Sequence, residues 1–326
     1  MAQVIRNALW AQVRPLEETL VIERGARKWR IHPGELAEAL AELRDRDIAY
    51  GAGRDLLAQR LAHLVLRQIE GSGEACDAGT LAQLRRNRGI STAVRRMWPK
   101  TDPVRLVLGL LTDRERLARA AQDILTPAEQ AAILLPTRPR TPKSATWSSA
   151  DPALIDEAAA LIERPATIGH IVVDEAQDLS PMQARAIARR CTRGSLTVLG
   201  DIAQGTNPWA VDDWPRLLAH LGQPEAHLAV LDRGFRVPAQ IIDYAARLLP
   251  QIAPGLSTPT GVRQTTGALT ITETSATERL DALTMACRQA LKKDGSVGLI
   301  AADTDIPAIH QRLTAEGLGT ALVGQS

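Results

Sequence analysis

The chain is poor in aromatic residues, cysteine and net charge, and each scarcity removes a class of protein. Aromatic residues make up 3% of its 326 residues, so any single-strand nucleic-acid path built on stacked rings must be sparse. Three scattered cysteines show no metal-ligand spacing and predict buried thiols in a reducing compartment rather than a disulfide framework. A formal net charge of +2 is too small to indicate nucleic acid by itself.

Long apolar runs are missing as well. No stretch of eighteen apolar residues occurs, and the segment from Met1 to Trp10 lacks the apolar core of a signal peptide. We therefore expect a cytoplasmic protein that does not enter the membrane. A hydrophobic content of 45% with 23% charged residues is ordinary for globular proteins, and the length leaves room for two or more domains.

The most informative segment, residues 170–183, places two adjacent carboxylates after a short apolar run. The run Ile-Val-Val has the continuous apolar pattern of a central parallel strand. Asp174 and Glu175 follow at its carboxyl end, where open α/β sheets place their ligands. In an ATPase the first carboxylate holds Mg²⁺ and the second orients the water that attacks the γ-phosphate. The alternative is an acidic strand-to-helix turn with Asp178 or Ser180 as the helix cap.

Two further motifs follow in order along the chain. Residues 197–204 form a second apolar strand that ends in Gly-Asp, and Gln204 lies three positions after Asp201. An aromatic residue followed by Arg236 comes next, after a stretch with helical character. Each of these motifs is a weak signal alone, and it is their order and their separation from Asp174 that carry the weight.

The three motifs resemble those of superfamily 1 helicases of the UvrD/Rep type. In that family motif II is Asp-Glu-x-Gln-Asp, motif III is Gly-Asp-x-x-Gln and motif IV is an aromatic-Arg pair, which residues 174–178, 200–204 and 235–236 match. The segments Val-Asp-Glu-Ala-Gln-Asp-Leu-Ser-Pro-Met-Gln and Leu-Gly-Asp-Ile-Ala-Gln-Gly-Thr-Asn-Pro-Trp resemble the HelD branch in particular. Members of that branch are helicase-like ATPases that bind RNA polymerase.

This resemblance is strongest between residues 147 and 244, and it implies an α/β fold with two facing RecA-like lobes. The implied architecture is a RecA-like P-loop NTPase parallel sheet, interrupted by a large all-helical insertion and followed by the start of a second RecA-like domain. The predicted domains are residues 1–32 (part of the first RecA-like domain), 33–164 (helical insertion), 165–255 (the rest of the first domain, with motifs II, III and IV) and 256–326 (the beginning of the second).

The resemblance also implies a role for each motif residue, with ATP and Mg²⁺ as cofactors. Asp174 would be the Mg²⁺ ligand and Glu175 the catalytic base. Gln204 would sense the γ-phosphate and couple it to strand binding. Arg236 would act as an arginine finger that stabilises charge on the γ-phosphate. Trp209 stands where relatives carry an aromatic residue that stacks on a DNA base, with simple packing as an equal alternative.

Less specific roles are open for several of these residues. Gln204 is alternatively an amide that caps a loop. Arg236 is alternatively an arginine in an ordinary salt bridge at a helix start. Gln177 and Asp178 belong to the motif II loop, and we expect them to position neighbouring groups rather than contact a ligand.

The sequence departs from the family in lacking a phosphate-binding loop. No Gly-x-x-x-x-Gly-Lys-[Ser/Thr] segment occurs, so the backbone N–H groups and the lysine that cradle the β- and γ-phosphates are missing. The later arginine-bearing helicase motif is missing too. The resemblance implies that the phosphate-binding loop would precede Met1 and the later motif would follow Ser326, so that this chain would be an internal piece of a longer protein. A split gene and a degenerate copy are alternative origins. We expect the chain alone not to hydrolyse ATP.

A proline-rich basic loop inside the helical region is a second candidate contact. It contains Arg138, Arg140 and Lys143 and no acidic residue. Such a loop is either a solvated connector or an arm that reaches nucleic-acid phosphates or an acidic polymerase channel. The surrounding region has apolar residues at helix period, with Asp102 and Thr126 predicted as N-caps before prolines.

Further elements are predicted towards both ends of the chain. Strands at residues 20–23 and 28–31 form a hairpin, and residues 250–267, rich in Pro, Gly and Thr, form a linker. Beyond the linker, strands and helices alternate as in the opening of a parallel sheet. These are strands at residues 269–273 and 297–301 and helices at 276–292 and 306–316.

Two functions of different classes follow from these patterns. In the first, a monomeric release factor binds core RNA polymerase and uses ATP hydrolysis to free it from nucleic acid. In the second, a DNA helicase moves along single-stranded DNA. The HelD-like segments and the long helical insertion with its basic loop favour the first function.

Overall fold

The computed structural model describes residues 1–46, 48–139, 141–191 and 193–323. Helices form most of the regular structure, and three two-stranded sheets, two of them parallel, lie among them, so the fold class is mixed α/β, as the sequence predicts. The chain divides into two units, Met1–Ala229 and Val230–Ser326.

The first unit begins with a helix and a β-hairpin, and helices follow. Strand β1 pairs antiparallel with β2 at the predicted hairpin. The side chains of Asp102 and Thr126 accept hydrogen bonds from the backbone N–H groups three residues on, which confirms both predicted N-caps. The elements are α1 (Ala2–Trp10), β1 (Leu20–Arg24), β2 (Arg27–Ile31), α2 (Pro33–Arg44), α3 (Tyr50–Gly71), α4 (Ala78–Arg85), α5 (Arg88–Met97), α6 (Pro103–Thr112), α7 (Arg114–Ala120), α8 (Pro127–Ile133) and α9 (Asp151–Ile162).

One hydrophobic core joins all of these helices. It runs along the chain from Val4 to Ala158, so α1 and the hairpin pack into the same core as the helices after residue 33. Its largest buried side chains are Trp98 and Tyr50, and these pack edge-on against Trp10 with ring centroids 5.4 to 5.8 Å apart. Trp29 and Trp147 also pack against this core, so five of the nine aromatic residues serve it rather than a nucleic-acid path.

A two-stranded parallel sheet follows α9 in the chain. Its first strand precedes the carboxylate pair and its second precedes Gly-Asp, as predicted. A second hydrophobic cluster, which includes Val173, Ala184 and Leu217, covers one face of the sheet. The elements are β3 (Ile171–Val173), α10 (Pro181–Arg190), β4 (Leu196–Val198) and α11 (Trp214–His220).

The predicted burial of this sheet on both faces is wrong for the described residues. Val172, at the middle of β3, is 63% exposed, whereas its neighbour Val173 is buried. Successive side chains of a strand point to opposite faces, so one face of β3 is covered and the other is open. The apolar run correctly indicates a strand, but it does not determine how many faces are covered.

A network of ion pairs joins α9 to α10. Glu157, only 3% exposed, accepts hydrogen bonds from Arg185 at 3.1 Å and from Arg189. The neighbouring Asp156 is bound by Arg189 and Arg190, each at 2.5 Å. A buried carboxylate without its partners is destabilising, so α9 and α10 must stay together to keep these contacts. The network therefore links the helical core to the part of the unit that contains β3 and β4.

The network predicts a pH-dependent stability. A hydrogen bond from Arg190 is the largest influence on the pKa of Asp156, and with the bond from Arg189 it lowers this pKa against the opposing effect of burial. Because the pKa is lower in the folded state, the carboxylate stabilises the fold above its unfolded pKa, and this stabilisation is lost as the pH falls through the folded pKa. We expect Asp156→Asn to lower the free energy of unfolding at neutral pH, with the difference from wild type shrinking below about pH 4.

Urea unfolding of wild type and Asp156→Asn from pH 7 to pH 3 measures this difference directly. Other carboxylates also lose stabilising interactions in acid, because the helix-capping bonds of Asp77 and Asp113 lower their pKa values. The difference between the two proteins cancels those contributions. A difference that stays constant across the pH range would show that the charge of Asp156 does not stabilise the fold.

The second unit contains a parallel two-stranded sheet and a pair of packed helices. Strand β5 pairs with β6, and α14 packs against α15 through Cys287, Ile309 and Leu313. Both of these helices confirm predictions. The elements are β5 (Arg233–Pro238), α12 (Ala239–Ala245), α13 (Leu249–Ile252), β6 (Thr260–Arg263), α14 (Arg279–Ala290) and α15 (Ile306–Ala315).

Three predictions for this unit are wrong. Strand β6 lies inside the segment predicted to be a linker, residues 250–267. Residues 269–273 and 297–301, predicted as strands, adopt no regular structure. A strand forms only where a neighbour supplies a hydrogen-bonding ladder, and in the described part of this unit β5 and β6 pair with each other alone. Ile300 is accordingly 98% exposed.

Two of the three cysteines are buried, as the sequence predicts. Cys191 and Cys287 are buried free thiols, whereas Cys76 is only half-buried.

Within the described ranges, no helix combines the length and the apolar character needed to cross a bilayer.

Candidate functional site

The carboxylate pair and the Gly-Asp motif lie at the same edge of the β3–β4 sheet. Asp174 and Glu175 leave the carboxyl end of β3, and Asp201 follows β4, its parallel neighbour. The backbone N–H of Ala176 donates to the carbonyl oxygen of Leu199 at 2.9 Å, which holds the two loops together. The structure therefore brings motifs II and III side by side, as parallel strands require.

Gln177 connects these two loops with its side chain, which is 3% exposed. Its Nε2 donates to Oε2 of Glu175 at 2.8 Å, and its Oε1 accepts from the backbone N–H of Asp201 at 3.0 Å. Both ends of the buried amide are thus hydrogen-bonded, as burial demands. The predicted positioning role of Gln177 is visible in these contacts, because it orients the carboxylate predicted to be the catalytic base.

Gly200 allows the two loops to approach this closely. A Cβ atom at this position would lie 2.6 Å from Oε1 of Gln177 and 3.0 Å from the backbone nitrogen of Ala176. Any side chain would therefore displace the amide bridge. The glycine of the Gly-Asp motif is needed for space.

Glu175 has an unusual backbone conformation. Its φ of +50° and ψ of +44° lie in the left-handed region, which few residues other than glycine adopt. Such a conformation costs on the order of 1–3 kcal/mol and persists where surrounding contacts hold it. Here the hydrogen bond from Gln177 holds the side chain, and the N–H of Glu175 donates to Oδ1 of Asp174 at 2.9 Å.

Gln204 is hydrogen-bonded within its own loop. Its Nε2 donates to Oδ2 of Asp201 at 2.9 Å, while Oδ1 of Asp201 accepts from the N–H of Ala203 at 3.0 Å. Asp201 thus caps the single 3₁₀ turn formed by Ile202–Gln204. The amide of Gln204 thus bonds to a side chain of its own loop, and the γ-phosphate contact stays a prediction.

Trp209 is anchored to the motif II loop. Its indole Nε1 donates to the carbonyl oxygen of Asp178 at 3.0 Å, and Asn207 donates to the carboxylate of Asp178 at 2.8 Å. The ring is still 37% exposed. The role of Asn207 was missed from the sequence, because no local pattern marks a contact between residues 29 positions apart.

The donors at this edge suit magnesium only with help from a ligand. Asp174 and Glu175 are exposed. In the described part of the chain, no group of three or more His, Cys, Asp or Glu side chains is placed to hold a metal ion. Mg²⁺ in nucleotide enzymes is commonly held by one or two carboxylates together with substrate phosphates and water. Asp174 and its neighbour fit that arrangement, in which the nucleotide supplies the other ligands.

Arg236 lies in the second unit, in the middle of β5. It is exposed, as is the adjacent Phe235. The alternative of a salt-bridged arginine at a helix start is wrong in both parts: the residue is in a strand, and it forms no ion pair with the residues that the structure describes. The arginine-finger role stays a prediction.

The basic loop of the helical region is fixed at both ends. The N–H of Leu135 donates to the carbonyl oxygen of Leu111 at 2.8 Å, and Nε1 of Trp147 donates to the carbonyl oxygen of Pro142 at 3.1 Å. Between these anchors Arg138 and Lys143 are exposed. The third predicted contact, Arg140, lies outside the described residues.

Comparison with known proteins adds no family to this description. A scan against protein-family models and a search of curated proteins found no match for the chain. The case for a function therefore rests on the motifs and on the geometry of the sheet edge that carries them.

Proposed function

We propose that the chain is part of a cytoplasmic, ATP-dependent, helicase-like protein that binds RNA polymerase and uses ATP hydrolysis to release it from nucleic acid. The proposal includes a RecA-like fold, ATP and Mg²⁺ as cofactors, and a phosphate-binding loop supplied from outside this chain. The observation that carries it is the buried bridge of Gln177 between Glu175 and the backbone of Asp201. That bridge joins motif II to motif III at the edge where parallel sheets bind nucleotides.

The residues at this edge have distinct tasks in the proposed reaction. Asp174 would hold Mg²⁺, which supplies charge stabilisation to the phosphates when bound. Glu175 would accept a proton from the attacking water, and its left-handed backbone and its bond to Gln177 keep the carboxylate in one orientation. Because Gln177 also binds the motif III backbone, a movement of the Asp201 loop would be transmitted to the base.

A DNA helicase is the second candidate function, and Trp209 is the residue that favours it. Its indole N–H is bonded to the carbonyl oxygen of Asp178, and the residue is 37% exposed, so part of its surface is open to a nucleic-acid base. Stacking of a base on an aromatic side chain contributes about 1–3 kcal/mol.

Capture of purified core RNA polymerase by the immobilised 326-residue chain tests the first function. We expect capture by wild type and loss of capture when Arg138, Arg140 and Lys143 are all replaced by Ala, because their charges would face an acidic surface of the polymerase. A variant with Arg30, Arg67 and Arg105 replaced by Ala removes the same charge from other exposed positions and should retain capture.

A strand-displacement assay on forked DNA, with a protein in which this chain is joined to a phosphate-binding segment, separates the two functions. Capture of polymerase without displacement supports the release factor. Displacement without capture would replace it with the helicase. Equal capture by the wild type and the loop variant would show that the basic loop is a solvated connector.

A further inference from the structure

The helical part of the first unit carries a cleft lined with arginines, away from the β3–β4 edge. It lies between α3, α4 and α5 and has a volume of about 440 Å³. Arg54 comes from α3, Arg85 and Arg86 from the end of α4, and Arg95 from α5. Asp55 is the one carboxylate among the described lining residues. The cleft therefore has a clear excess of positive charge.

None of these four arginines forms an ion pair with an acidic side chain in the part of the chain that the structure describes. Arginines close by are treated differently: Arg60, also on α3, pairs with Glu42, and Arg96 pairs with Glu18. Like charges gathered in one cleft repel each other unless an anion joins them.

Two of the guanidinium groups are held in place with donors to spare. Arg54 donates to the carbonyl oxygen of the buried Trp98, and Nη2 of Arg95 donates to the hydroxyl of Thr92 at 2.9 Å. A guanidinium has five N–H donors, so most of them stay available. The hydroxyl of Ser91 also lines the cleft and adds a neutral donor.

We infer that this cleft binds phosphate groups, carried either by the backbone of a nucleic acid or by a free polyphosphate. The planar guanidinium group of arginine matches the arrangement of the phosphate oxygens. Because a guanidinium is weakly hydrated, it loses little hydration when it binds a phosphate closely. No aromatic ring lines the cleft in its described part, so nothing there stacks on a base. Contacts of this kind position a backbone without reading sequence. The inference does not depend on the proposed ATPase function.

Fluorescence anisotropy with labelled single-stranded DNA, titrated with the purified chain at several salt concentrations, tests the site. The test variant is Arg85→Ala with Arg86→Ala, because both side chains are exposed and form no hydrogen bond with the residues that the structure describes. We expect weaker binding. We also expect log K to fall less steeply with log salt, with the magnitude of the slope reduced by about 1.4, since the variant loses two phosphate contacts and each contributes about 0.7 on a single strand. Arg95→Ala is an independent variant, expected to lower the slope by about half as much.

The matched control is Arg67→Ala with Arg105→Ala, which removes the same charge. Neither residue lines the cleft, and Arg67 lies about 20 Å from Arg54 along α3. The control should keep the wild-type slope. An equal loss in the control would overturn the inference, because it would show an effect of net charge alone.

Competitors separate the sources of the phosphate. Displacement of the DNA by tripolyphosphate would support a free polyphosphate as the ligand, and displacement only by unlabelled DNA would support a nucleic-acid backbone. Oligoglutamate of the same charge competing as well as DNA would overturn the assignment to phosphate. Wild-type binding by the Arg85/Arg86 and Arg95 variants would overturn the site itself.

Discussion

Replacing Trp98 with alanine is expected to lower the free energy of unfolding by about 3–5 kcal/mol. The side chain is 0% exposed and packs against Trp10 and Tyr50, with ring centroids 5.4 and 5.5 Å away. Its loss would leave a cavity at the centre of the helical core and remove both ring contacts. Urea unfolding followed by far-UV circular dichroism measures the change.

A double-mutant cycle with Gly53 makes this prediction specific to the ring. A Cβ atom on Gly53 would lie 2.3 Å from Cζ2 of Trp98, so Gly53→Ala alone should destabilise by about 1–3 kcal/mol through overpacking. In the Trp98→Ala background the ring is gone, so Gly53→Ala should stabilise α3 by up to about 1 kcal/mol, because alanine has a higher helix propensity than glycine.

Gly71→Ala is the matched control on the same helix. A Cβ atom there meets nothing within 4 Å, so its effect should be small and alike in both backgrounds. If Gly53→Ala destabilised the protein equally with and without the Trp98 ring, the ring would not be the reason that position 53 requires glycine.

Replacing Glu157 with alanine is expected to lower the free energy of unfolding by about 1–3 kcal/mol, because Arg185 and Arg189 each lose a hydrogen bond to this buried carboxylate. Arg189 is 20% exposed and would keep only Asp156, while Arg185 would lose its carboxylate. A loss of this size would show in the midpoint of urea unfolding at neutral pH.

An exposed ion pair provides the comparison for Glu157. Asp212 pairs with Arg216 at 3.6 Å and its side chain is 92% exposed, so Asp212→Ala should change stability by less than about 0.5 kcal/mol. If the two substitutions had similar effects, the α9–α10 network would be a surface feature without structural weight.

Much of the fold was predictable where the determining signal is local. Helix period in the apolar residues indicates the helices of residues 33–163, and Asp102 and Thr126 start two of them because a short polar side chain satisfies exposed N–H groups. The hairpin and the strands before Asp174 and Asp201 also follow from local patterns.

Predictions failed where a strand depends on a partner. The segments 269–273 and 297–301 have apolar character, but in the described part of the second unit no neighbour pairs with them. Strand β6, by contrast, forms in a Pro/Gly/Thr-rich segment because β5 lies beside it. Strand pairing is a contact between distant residues, which composition and periodicity do not encode.

The sequence by itself determined which side chains stand at the ends of the two parallel strands, because a strand followed by a polar pair is a local pattern. Only the tertiary structure decided what those side chains touch. The buried amide of Gln177 meets the backbone of Asp201 across 24 positions, and Glu157 meets Arg185 across 28. Such contacts form because packing brings separate elements together, and the same packing leaves the arginines of the α3–α4–α5 cleft without an ion pair to any residue that the structure describes.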